Sequence, residues 1–207
     1  MSRRFIIFAG GEINPEIVEI PEERYLICAD RGFMTAEAMG LEPDCVIGDF
    51  DSLGYVPKCS NVQIYPSGKD DTDTMLAVKY ALENGADEIH IYGALEGRLD
   101  HTFANIQTLL HIEEHGARGV LISENSRVYI QKSGEPRCYA KRDEWYFSVF
   151  SYSDKSTGVN LTGTEYPLED AVLESSFPLG VSNHIMDEYA ELSAENGCLI
   201  VIESRET

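Results

Sequence analysis

Apolar and polar positions form a repeating block pattern over residues 1–126 of the chain. Short apolar runs bounded by Gly, Pro or Asp have the length and composition of buried β-strands, and segments with helical periodicity separate them. These runs are FIIFAG, RYLICAD, DCVIGDF, VQIYP, EIHIYG and GVLIS. Because strands that alternate with helices favour a parallel sheet covered on both faces, we predict an α/β domain with a mostly parallel sheet and flanking helices over residues 1–126.

Two segments in this region have the clearest helical periodicity. One follows KDDTD and precedes Gly85, and the other follows GRLDH and precedes Gly116. In the second segment, apolar side chains recur at positions i, i+3 and i+7, namely Phe103, Ile106 and Leu110. We therefore predict two amphipathic helices that end before these glycines.

The pattern changes after residue 126. The segments EWYFSVFSYS, GVNLTGTEYPL and GCLIVIES are rich in aromatic residues, Thr and Val, and helical periodicity largely disappears. Turn residues separate these segments at the short intervals that are typical of a small sandwich or barrel. We therefore predict a second, all-β sandwich domain over residues 127–207.

The chain of 207 residues is strongly acidic. It has 16 Lys and Arg residues against 36 Asp and Glu residues, which gives a formal net charge of -20 at pH 7. A protein with this charge repels nucleic acids and anionic membrane surfaces and attracts cationic ligands and metal ions. No segment approaches the roughly 20 consecutive apolar residues that a membrane-spanning helix needs. We therefore expect no nucleic-acid partner and no membrane partner.

The five cysteines are odd in number, widely scattered and never arranged as C-x-x-C. This pattern favours free thiols in a reducing compartment over a disulfide framework or a zinc site. The opening segment MSRRFIIFAGGE contains an apolar run that is too short for a signal peptide and that fits a first β-strand better. We therefore predict that the protein is cytoplasmic.

Three acidic clusters follow predicted strands, namely GDFDS, SGKDDTD and GALEGRLDH. In the first cluster, Asp49 and Asp51 are two residues apart, and since such side chains share a face of a strand, we expect the carboxylates to converge. Two charges about 4 Å apart repel by about 1 kcal/mol in water and about 4 kcal/mol at an effective dielectric of 20, so convergence requires a cation or solvent. Because ligands of parallel sheets bind beyond the carboxyl ends of the strands, the clusters predict one polar site.

Carboxylates combined with basic side chains indicate a site for Mg²⁺ and phosphate groups. Mg²⁺ binds through a few carboxylates, keeps several waters and bridges to substrate phosphates. Lys69 and Arg98 would contact phosphates, and Gly93 and Gly97 would let backbone N–H groups approach the ligand. Acids at the start of a helix also stabilise it as caps, so for KDDTD alone capping is an equally good alternative.

The motifs ADRG, VIGDFDSL, KDDTDTMLAV, GALEGRLDHTFAN and GVSN follow one another along the chain. Together they closely resemble the thiamine pyrophosphokinase family, in its bacterial type, and the resemblance covers most of the chain. It implies an α/β catalytic domain followed by a β-sandwich thiamine-binding domain, in a homodimer whose active site lies where the subunits meet. It also implies transfer of the diphosphoryl group of ATP to thiamine, giving AMP and thiamine diphosphate, with Mg²⁺ as the cofactor.

The resemblance assigns motif residues to three roles. The predicted catalytic and Mg²⁺-binding residues are Asp49, Asp51, Asp71, Asp73 and Asp100. The residues predicted to contact ATP are Ser52, Lys69, Arg98 and His101. The residues predicted to contact thiamine are Ser182 and Asn183. Asp71 or Asp100 would accept the proton of the thiamine hydroxyl, and the sequence leaves both open.

Two alternatives stand beside this function. Paired aspartates at a strand end also serve other Mg²⁺-dependent phosphotransferases and phosphohydrolases, some of which form an aspartyl-phosphate. The same fold could also act as a noncatalytic sensor of a nucleotide or of thiamine. In animal members of the family a Trp near the C-terminus stacks on the pyrimidine ring of thiamine, whereas the single Trp here is Trp145, for which we expect a core position.

Overall fold

The computed structural model describes residues 3–51, 53–66, 68 and 70–206. Spatial contacts divide the chain into two units, Met1–Glu124 and Asn125–Thr207. The first unit carries the predicted acidic clusters, and the second unit carries the GVSN motif.

A parallel sheet forms the centre of the first unit. Its strands are β1 (Arg4–Phe8), β2 (Tyr25–Ala29), β3 (Cys45–Gly48), β4 (Val62–Ile64), β5 (Glu88–Tyr92) and β6 (Arg118–Ile122). They lie in the order β6-β5-β1-β2-β3-β4, and neighbouring strands in this series are parallel. All of β3 is buried, as are the last four residues of β1 and β2, because the inner strands of such a sheet are covered on both faces. This arrangement confirms the mostly parallel sheet predicted from the apolar runs.

The strand order places a switch point between β1 and β5. From β1 the chain proceeds through β2 and β3 to β4 on one side of the sheet, and it then returns to β5 and β6 on the other side. The segments that leave β1 and β5 at their carboxyl ends therefore diverge. In open α/β sheets, this divergence creates the crevice in which ligands bind.

The helices described in the first unit are α1 (Gly32–Ala38), α2 (Asp73–Glu83) and α3 (Leu99–Glu114), and a 3₁₀ turn spans Pro15–Ile17. α2 and α3 are the two helices predicted from periodicity, and Gly85 and Gly116 follow them with φ angles of 78° and 81°. Such left-handed residues end a helix, and glycine adopts this conformation without a steric penalty. No helix in the described part of the chain combines the length and the hydropathy needed to cross a membrane.

The buried face of α3 differs from the apolar series in its sequence. The buried residues of this helix are Asn105, Thr108, Leu109 and Ile112. Phe103, the first residue of the apolar series, is 58% exposed. The series therefore identifies the helix but not the face that packs on the sheet, and two of the four buried positions carry polar side chains.

Within residues 125–206 the chain is built from antiparallel strands. They are β7 (Ser126–Lys132), β8 (Arg137–Ala140), β9 (Tyr146–Ser151), β10 (Lys155–Thr162), β11 (Leu168–Glu174), β12 (Gly180–Asn183), β13 (Tyr189–Ser193) and β14 (Cys198–Ser204). One sheet has the order β12-β9-β14-β7, and the other has the order β11-β10-β13-β8. Apolar side chains from both sheets form one core, including Phe147 and Leu199 of the first and Leu161 and Leu192 of the second. This confirms the predicted β-sandwich.

Trp145 does not lie in this core, so the expectation of a core position was wrong. Its side chain is half-buried just before β9, and the guanidinium groups of Arg142 and Arg205 lie 5.8 and 5.6 Å from its ring centroid. The aromatic face is occupied by cation–π contacts, which are favourable at a partly exposed site. The indole therefore contacts two arginines beside β9 instead of lying among the buried side chains of the core.

Candidate active site

An open cavity of about 1130 Å³ lies at the carboxyl end of the parallel sheet. Its lining comes from the segments after β1, β2, β3 and β5, and from the first residues of α2 with the two residues before them. These segments meet beside the switch point, where a doubly wound sheet binds its ligands. The cavity is thus positioned by strand order, and it is large enough for a small-molecule ligand.

Glycines let two of these segments touch at the switch point. The backbone N–H of Gly11, after β1, donates a hydrogen bond of 3.0 Å to the carbonyl of Gly93, after β5. A Cβ atom on Gly11 would come within 2.5 Å of that carbonyl oxygen. Gly93 has a φ angle of 71°, and a side chain there would also meet Ile13. The two loops can therefore close the floor of the cavity only because both positions lack a side chain.

Asp49 lines the cavity, whereas Asp51 is exposed and does not belong to the described lining. The cause is local: β3 ends at Gly48, and Phe50 is buried with a φ angle of 58°. The segment therefore turns instead of continuing as a strand, and Oδ1 of Asp49 accepts the backbone N–H of Asp51 at 3.1 Å. The expectation that both carboxylates share a strand face was wrong, because strand alternation stops before them.

Asp71 and Asp73 both line the cavity at the start of α2. The capping role in KDDTD is filled by Thr72, whose Oγ1 accepts the backbone N–H of Met75 at 3.1 Å. Asp71 instead receives two hydrogen bonds from the ammonium group of Lys79, with Nζ at 2.8 Å from Oδ1 and 2.7 Å from Oδ2. Asp71 is therefore not needed to cap the helix. Its carboxylate remains available to a ligand of the cavity.

Arg98, directly before α3, and His101, in its first turn, line the cavity. Arg98 forms a bidentate ion pair with Asp100, in which Nε lies 3.1 Å from Oδ1 and Nη2 lies 2.6 Å from Oδ2. Asp100 lies outside the described lining and is exposed, and the hydrogen bond from Arg98 lowers the pKa of its carboxyl. Asp100 therefore stays ionised and holds the Arg98 guanidinium at the rim of the cavity.

The predicted ATP contacts Ser52 and Lys69 lie outside the described residues. In the second unit, Ser182 is exposed and has a φ angle of 58°, and its backbone N–H donates to Oγ of Ser148 at 3.0 Å. The next residue, Asn183, is only 5% exposed and makes its side-chain hydrogen bonds within the chain. Its Oδ1 accepts the N–H groups of Tyr166 and His184 at 3.0 and 2.9 Å, and its Nδ2 donates to the Tyr166 carbonyl at 2.7 Å.

The cavity also contains polar residues that the sequence argument did not assign. Asp30 directly follows β2 within the ADRG motif and has a φ angle of 46°. The sequence contained the information needed to find Asp30, because Asp30 follows a strand just as Asp49 does. Asn105 is buried on α3 and donates from Nδ2 to the Ala94 carbonyl at 2.8 Å, which ties the β5 segment to the helix. No periodicity identifies Asn105, since it occupies a position where apolar residues are expected.

Glu12 and Glu96 add two more carboxylates to the lining. Burial raises the pKa of the Glu96 carboxyl, and the nearby charge of Glu12 raises it further. The backbone N–H of Leu95 donates to Oε2 of Glu96 at 3.1 Å, which favours the ionised form. Acidic side chains in the lining outnumber the two arginines, Arg31 and Arg98, and this excess would oppose the binding of a phosphorylated ligand without a cation.

The donor chemistry of the cavity fits Mg²⁺. Carboxylates from five segments line the same space, namely the segments after β1, β2, β3 and β5 and the start of α2. Mg²⁺ needs only one or two of them because it keeps several waters and binds substrate phosphates. The described residues do not include a group of three or more His, Cys, Asp or Glu side chains arranged to hold a metal ion by themselves. The predicted aspartates thus share a cavity without forming a closed cage.

A polar, carboxylate-rich cavity at the switch point of an α/β unit, in a chain that also has a β-sandwich unit, defines a two-domain protein whose candidate ligand site is of the doubly wound type. Family models agree with this division. The model for "Thiamin pyrophosphokinase, catalytic domain" matches residues 19–121, and the model for "Thiamin pyrophosphokinase, vitamin B1 binding domain" matches residues 136–199.

Individual proteins are similar over nearly the whole chain. The thiamine pyrophosphokinase of Bacillus subtilis (strain 168) is 30% identical over 207 residues, which cover 96% of this chain and 97% of that protein. A crystal structure of the Bacillus subtilis enzyme has a TM-score of 0.91 at 28% identity and covers 99% of this chain and 100% of that one. The thiamin pyrophosphokinase of Geobacillus thermodenitrificans has a TM-score of 0.85 at 26% identity, covering 99% and 98%.

The chain belongs to the thiamine pyrophosphokinase family. This confirms the family predicted from the motifs, and it makes the chain an enzyme of the ATP-dependent thiamine diphosphokinase class. The alternatives of another Mg²⁺-dependent phosphotransferase or phosphohydrolase and of a noncatalytic nucleotide or thiamine sensor are not favoured by these similarities. A structure from Candida albicans, with a TM-score of 0.79 at 18% identity, shares the fold.

Proposed function

We propose that this chain transfers the diphosphoryl group of ATP to the hydroxyethyl oxygen of thiamine and releases AMP. The observation that carries the proposal is the cavity at the switch point, where carboxylates and the Arg98 guanidinium face one space in a chain of this family. In the reaction, a bond forms between the thiamine oxygen and the β-phosphorus. The bond between that phosphorus and the oxygen that bridges it to the α-phosphorus breaks, and the electron pair of this bond stays on the oxygen that leaves with AMP.

Binding and orientation are the main contributions of the residues. Mg²⁺, when bound, would be held by Asp49, Asp71 and Asp73, and it would offset the negative charge of the phosphates. Arg98 would contact the phosphate oxygens with its planar fork while Asp100 holds it at the rim, and His101 would add a further contact. Since phosphoryl transfer proceeds through a loose transition state, positioning and charge stabilisation account for most of the catalysis.

The proton of the thiamine hydroxyl would pass to a carboxylate, and Asp71 and Asp100 are both candidates. Each already binds a cation, Lys79 on Asp71 and Arg98 on Asp100. A cation partner weakens a carboxylate as a base, so proton transfer would occur late, when charge has already moved to the leaving group. Asp51 would act from outside the described lining, through its backbone bond to Asp49.

In the second unit, Ser182 would contact thiamine and Asn183 would act indirectly. Ser182 is exposed, whereas the side chain of Asn183 holds the backbone of Tyr166 and His184. Asn183 would therefore shape the thiamine site by fixing the segments around it. The cytoplasmic location indicated by the cysteine pattern stays a prediction.

We further propose a homodimer with the active site where the subunits meet. Exposed apolar side chains in the second unit support it, because Phe177, Leu179 and Val181 are 64%, 53% and 55% exposed within seven residues of Asn183. Apolar side chains grouped in this way commonly mark an interaction surface. Light scattering in solution tests the assembly, and a monomer at enzymatically active concentrations would contradict it.

The function is tested by mixing the purified protein with Mg²⁺, ATP and thiamine and following the products by phosphorus NMR. We expect AMP and thiamine diphosphate in equal amounts. ADP with thiamine monophosphate would retain a kinase but refute attack at the β-phosphorus. The absence of any thiamine product would refute the proposed substrate, and omission of Mg²⁺ tests the cofactor in the same assay.

A further inference from the structure

Lys79 reaches Asp71 from outside the lining of the cavity. Its ammonium nitrogen lies 2.8 Å from one carboxylate oxygen of Asp71 and 2.7 Å from the other. Among the described residues, the lining includes Asp71 but not Lys79. Lys79 would therefore not contact a ligand in the cavity directly, and any effect on the ligand would pass through Asp71.

The helix explains how Lys79 reaches a residue eight positions earlier in the chain. Side chains on a helix point toward its N-terminus, so the long stem of Lys79 extends back along α2 toward the segment before Thr72. Ala77, Val78 and Ala81 are fully buried against the rest of the unit and fix this part of α2. Core packing thus fixes the position of the Lys79 backbone, from which the side chain extends.

The contact restricts Asp71 without using all of its acceptor capacity. A carboxylate has about four lone-pair positions, and the two hydrogen bonds from Lys79 use two of them. The remaining lone pairs are available to a cation in the cavity. Without Lys79, Asp71 would lose the cation that binds it, in a lining whose carboxylates outnumber its two arginines, Arg31 and Arg98. Rotation of Asp71 away from Glu12, Asp30, Asp49, Asp73 and Glu96 would then reduce repulsion.

We propose that Lys79 is a positioning residue that orients Asp71 and thereby sets the affinity of the cavity for the divalent cation that accompanies ATP. This inference rests on the proposed function, since it assumes that the cavity receives a metal–nucleotide complex. Lys79 and Asp71 are 41% and 36% exposed, so their ion pair contributes little to folding. Its removal should therefore change cation affinity more than stability.

The test compares Lys79→Met and Lys79→Arg with Lys155→Met as the matched control. Lys155 forms a similar exposed pair with Glu174 in the second unit, with Nζ–Oε1 at 2.7 Å. The binding of Mn²⁺ to each full-length variant is measured by electron paramagnetic resonance, in the presence of a non-hydrolysable ATP analogue. We expect Lys79→Met to weaken Mn²⁺ binding by about 10-fold, as for other residues that orient metal ligands, and the other two variants to stay within about 2-fold of the parent protein.

A double variant tests whether Lys79 acts through Asp71. In the Asp71→Asn background, a further Lys79→Met change should leave Mn²⁺ affinity unaltered, because Lys79 acts through Asp71. Unchanged Mn²⁺ affinity in Lys79→Met would overturn the inference. Tighter binding would also overturn it, since Lys79 would then compete with the metal, and an additional loss in the Asp71→Asn background would show a role independent of Asp71.

The kinetic readout separates positioning from general damage. We expect Lys79→Met to raise the Mg²⁺ concentration needed for half-maximal rate, with the KM for thiamine unchanged and Lys79→Arg restoring the parent value. An equal rise in the Mg²⁺ concentration needed for half-maximal rate and in the KM for thiamine would refute a role confined to Asp71. If the parent protein made no thiamine diphosphate, the proposed function would fail, while the Mn²⁺ titration would still decide whether Lys79 orients Asp71.

Discussion

The two units of the chain use their predicted site residues in opposite ways. In the first unit, Asp49 and Asp73 line an open cavity. In the second unit, Asn183 is almost completely buried and bonds the backbone of Tyr166 and His184. A motif therefore identifies the segment that matters for function, but burial and hydrogen bonding decide whether a side chain meets the ligand or holds the chain that does.

The largest expected effect comes from changing the open cavity. Asp49→Asn should lower kcat on the order of 100-fold, because a preorganised charge next to the phosphates is lost. Asn retains the oxygen that accepts the Asp51 N–H, so the turn and the fold should remain. Asp51→Asn is the matched control and should lose less activity, because Asp51 lies outside the described lining. Steady-state kinetics check both variants, and an equal loss in both would contradict the distinction.

A change at Asn183 should act mainly on stability. Asn183→Ala removes the acceptor of the Tyr166 and His184 N–H groups and leaves the Tyr166 carbonyl with only its 3.3 Å bond from Oγ1 of Thr164, which should lower the free energy of unfolding by about 2 kcal/mol. Ser182→Ala keeps the backbone bond to Ser148 and should change stability by less than about 0.5 kcal/mol. Urea unfolding measures both. Parent-like stability of Asn183→Ala with a raised KM for thiamine would instead indicate direct contact.

An ion-pair cluster lies at the amino-terminal end of the parallel strands, opposite the end that carries the cavity. Glu88, at the start of β5, binds Nε2 of His90 at 2.7 Å and Nε of Arg4 at 2.9 Å. The hydrogen bond from His90, with a smaller contribution from Arg4, lowers the pKa of Glu88 from 4.5 to about 2. A lowered pKa in the folded state stabilises the protein above the unfolded value and loses this effect as the pH falls toward the folded value.

Glu88→Gln should therefore lower the free energy of unfolding by about 1 kcal/mol at pH 7 and leave kcat unchanged. The difference from the parent protein should shrink as the pH falls from about 4.5 to about 2. Chemical unfolding over this pH range is the measurement. A difference that is independent of pH would assign the effect to packing rather than to the charge of Glu88.

The smallest expected effect concerns the net charge of -20, which belongs to the whole chain rather than to either unit. Thiamine carries a permanent positive charge, so the negative field of the protein should favour its capture, and salt should screen this attraction. We expect the KM for thiamine to rise about 2-fold between 0.05 and 0.5 M salt. The KM of an uncharged thiamine analogue is the control, and a flat response for thiamine would remove the net charge from substrate capture.

The predictable part of the fold is the part encoded in local patterns. Apolar runs between helical segments predicted the parallel sheet, and the aromatic and β-branched segments after residue 126 predicted the sandwich. The face of α3 could not be predicted in the same way, because Asn105 and Thr108 are buried there while Phe103 is exposed. Which face packs on the sheet depends on the partners of the helix, and those partners are distant in sequence.

The site was predictable by segment and less so by residue. The rule that ligands bind after parallel strands led to Asp49, and the same rule would have led to Asp30. It failed for Asp51, because the left-handed backbone of Phe50 interrupts the strand geometry on which the inference relied. The role of Lys79 could not be predicted from the sequence either. Its ion pair with Asp71 depends on how the segment before α2 folds back beside the helix.

The sequence by itself determined the family, the succession of an α/β unit and a β unit, the acidic charge and the segments that carry the chemistry. These properties follow from residue types and short-range spacing, which remain the same in any conformation of the chain. Only the tertiary structure decided the strand order, the switch point, the lining of the cavity and the burial of Asn183. These depend on long-range pairing and packing, which bring together residues that no local pattern connects.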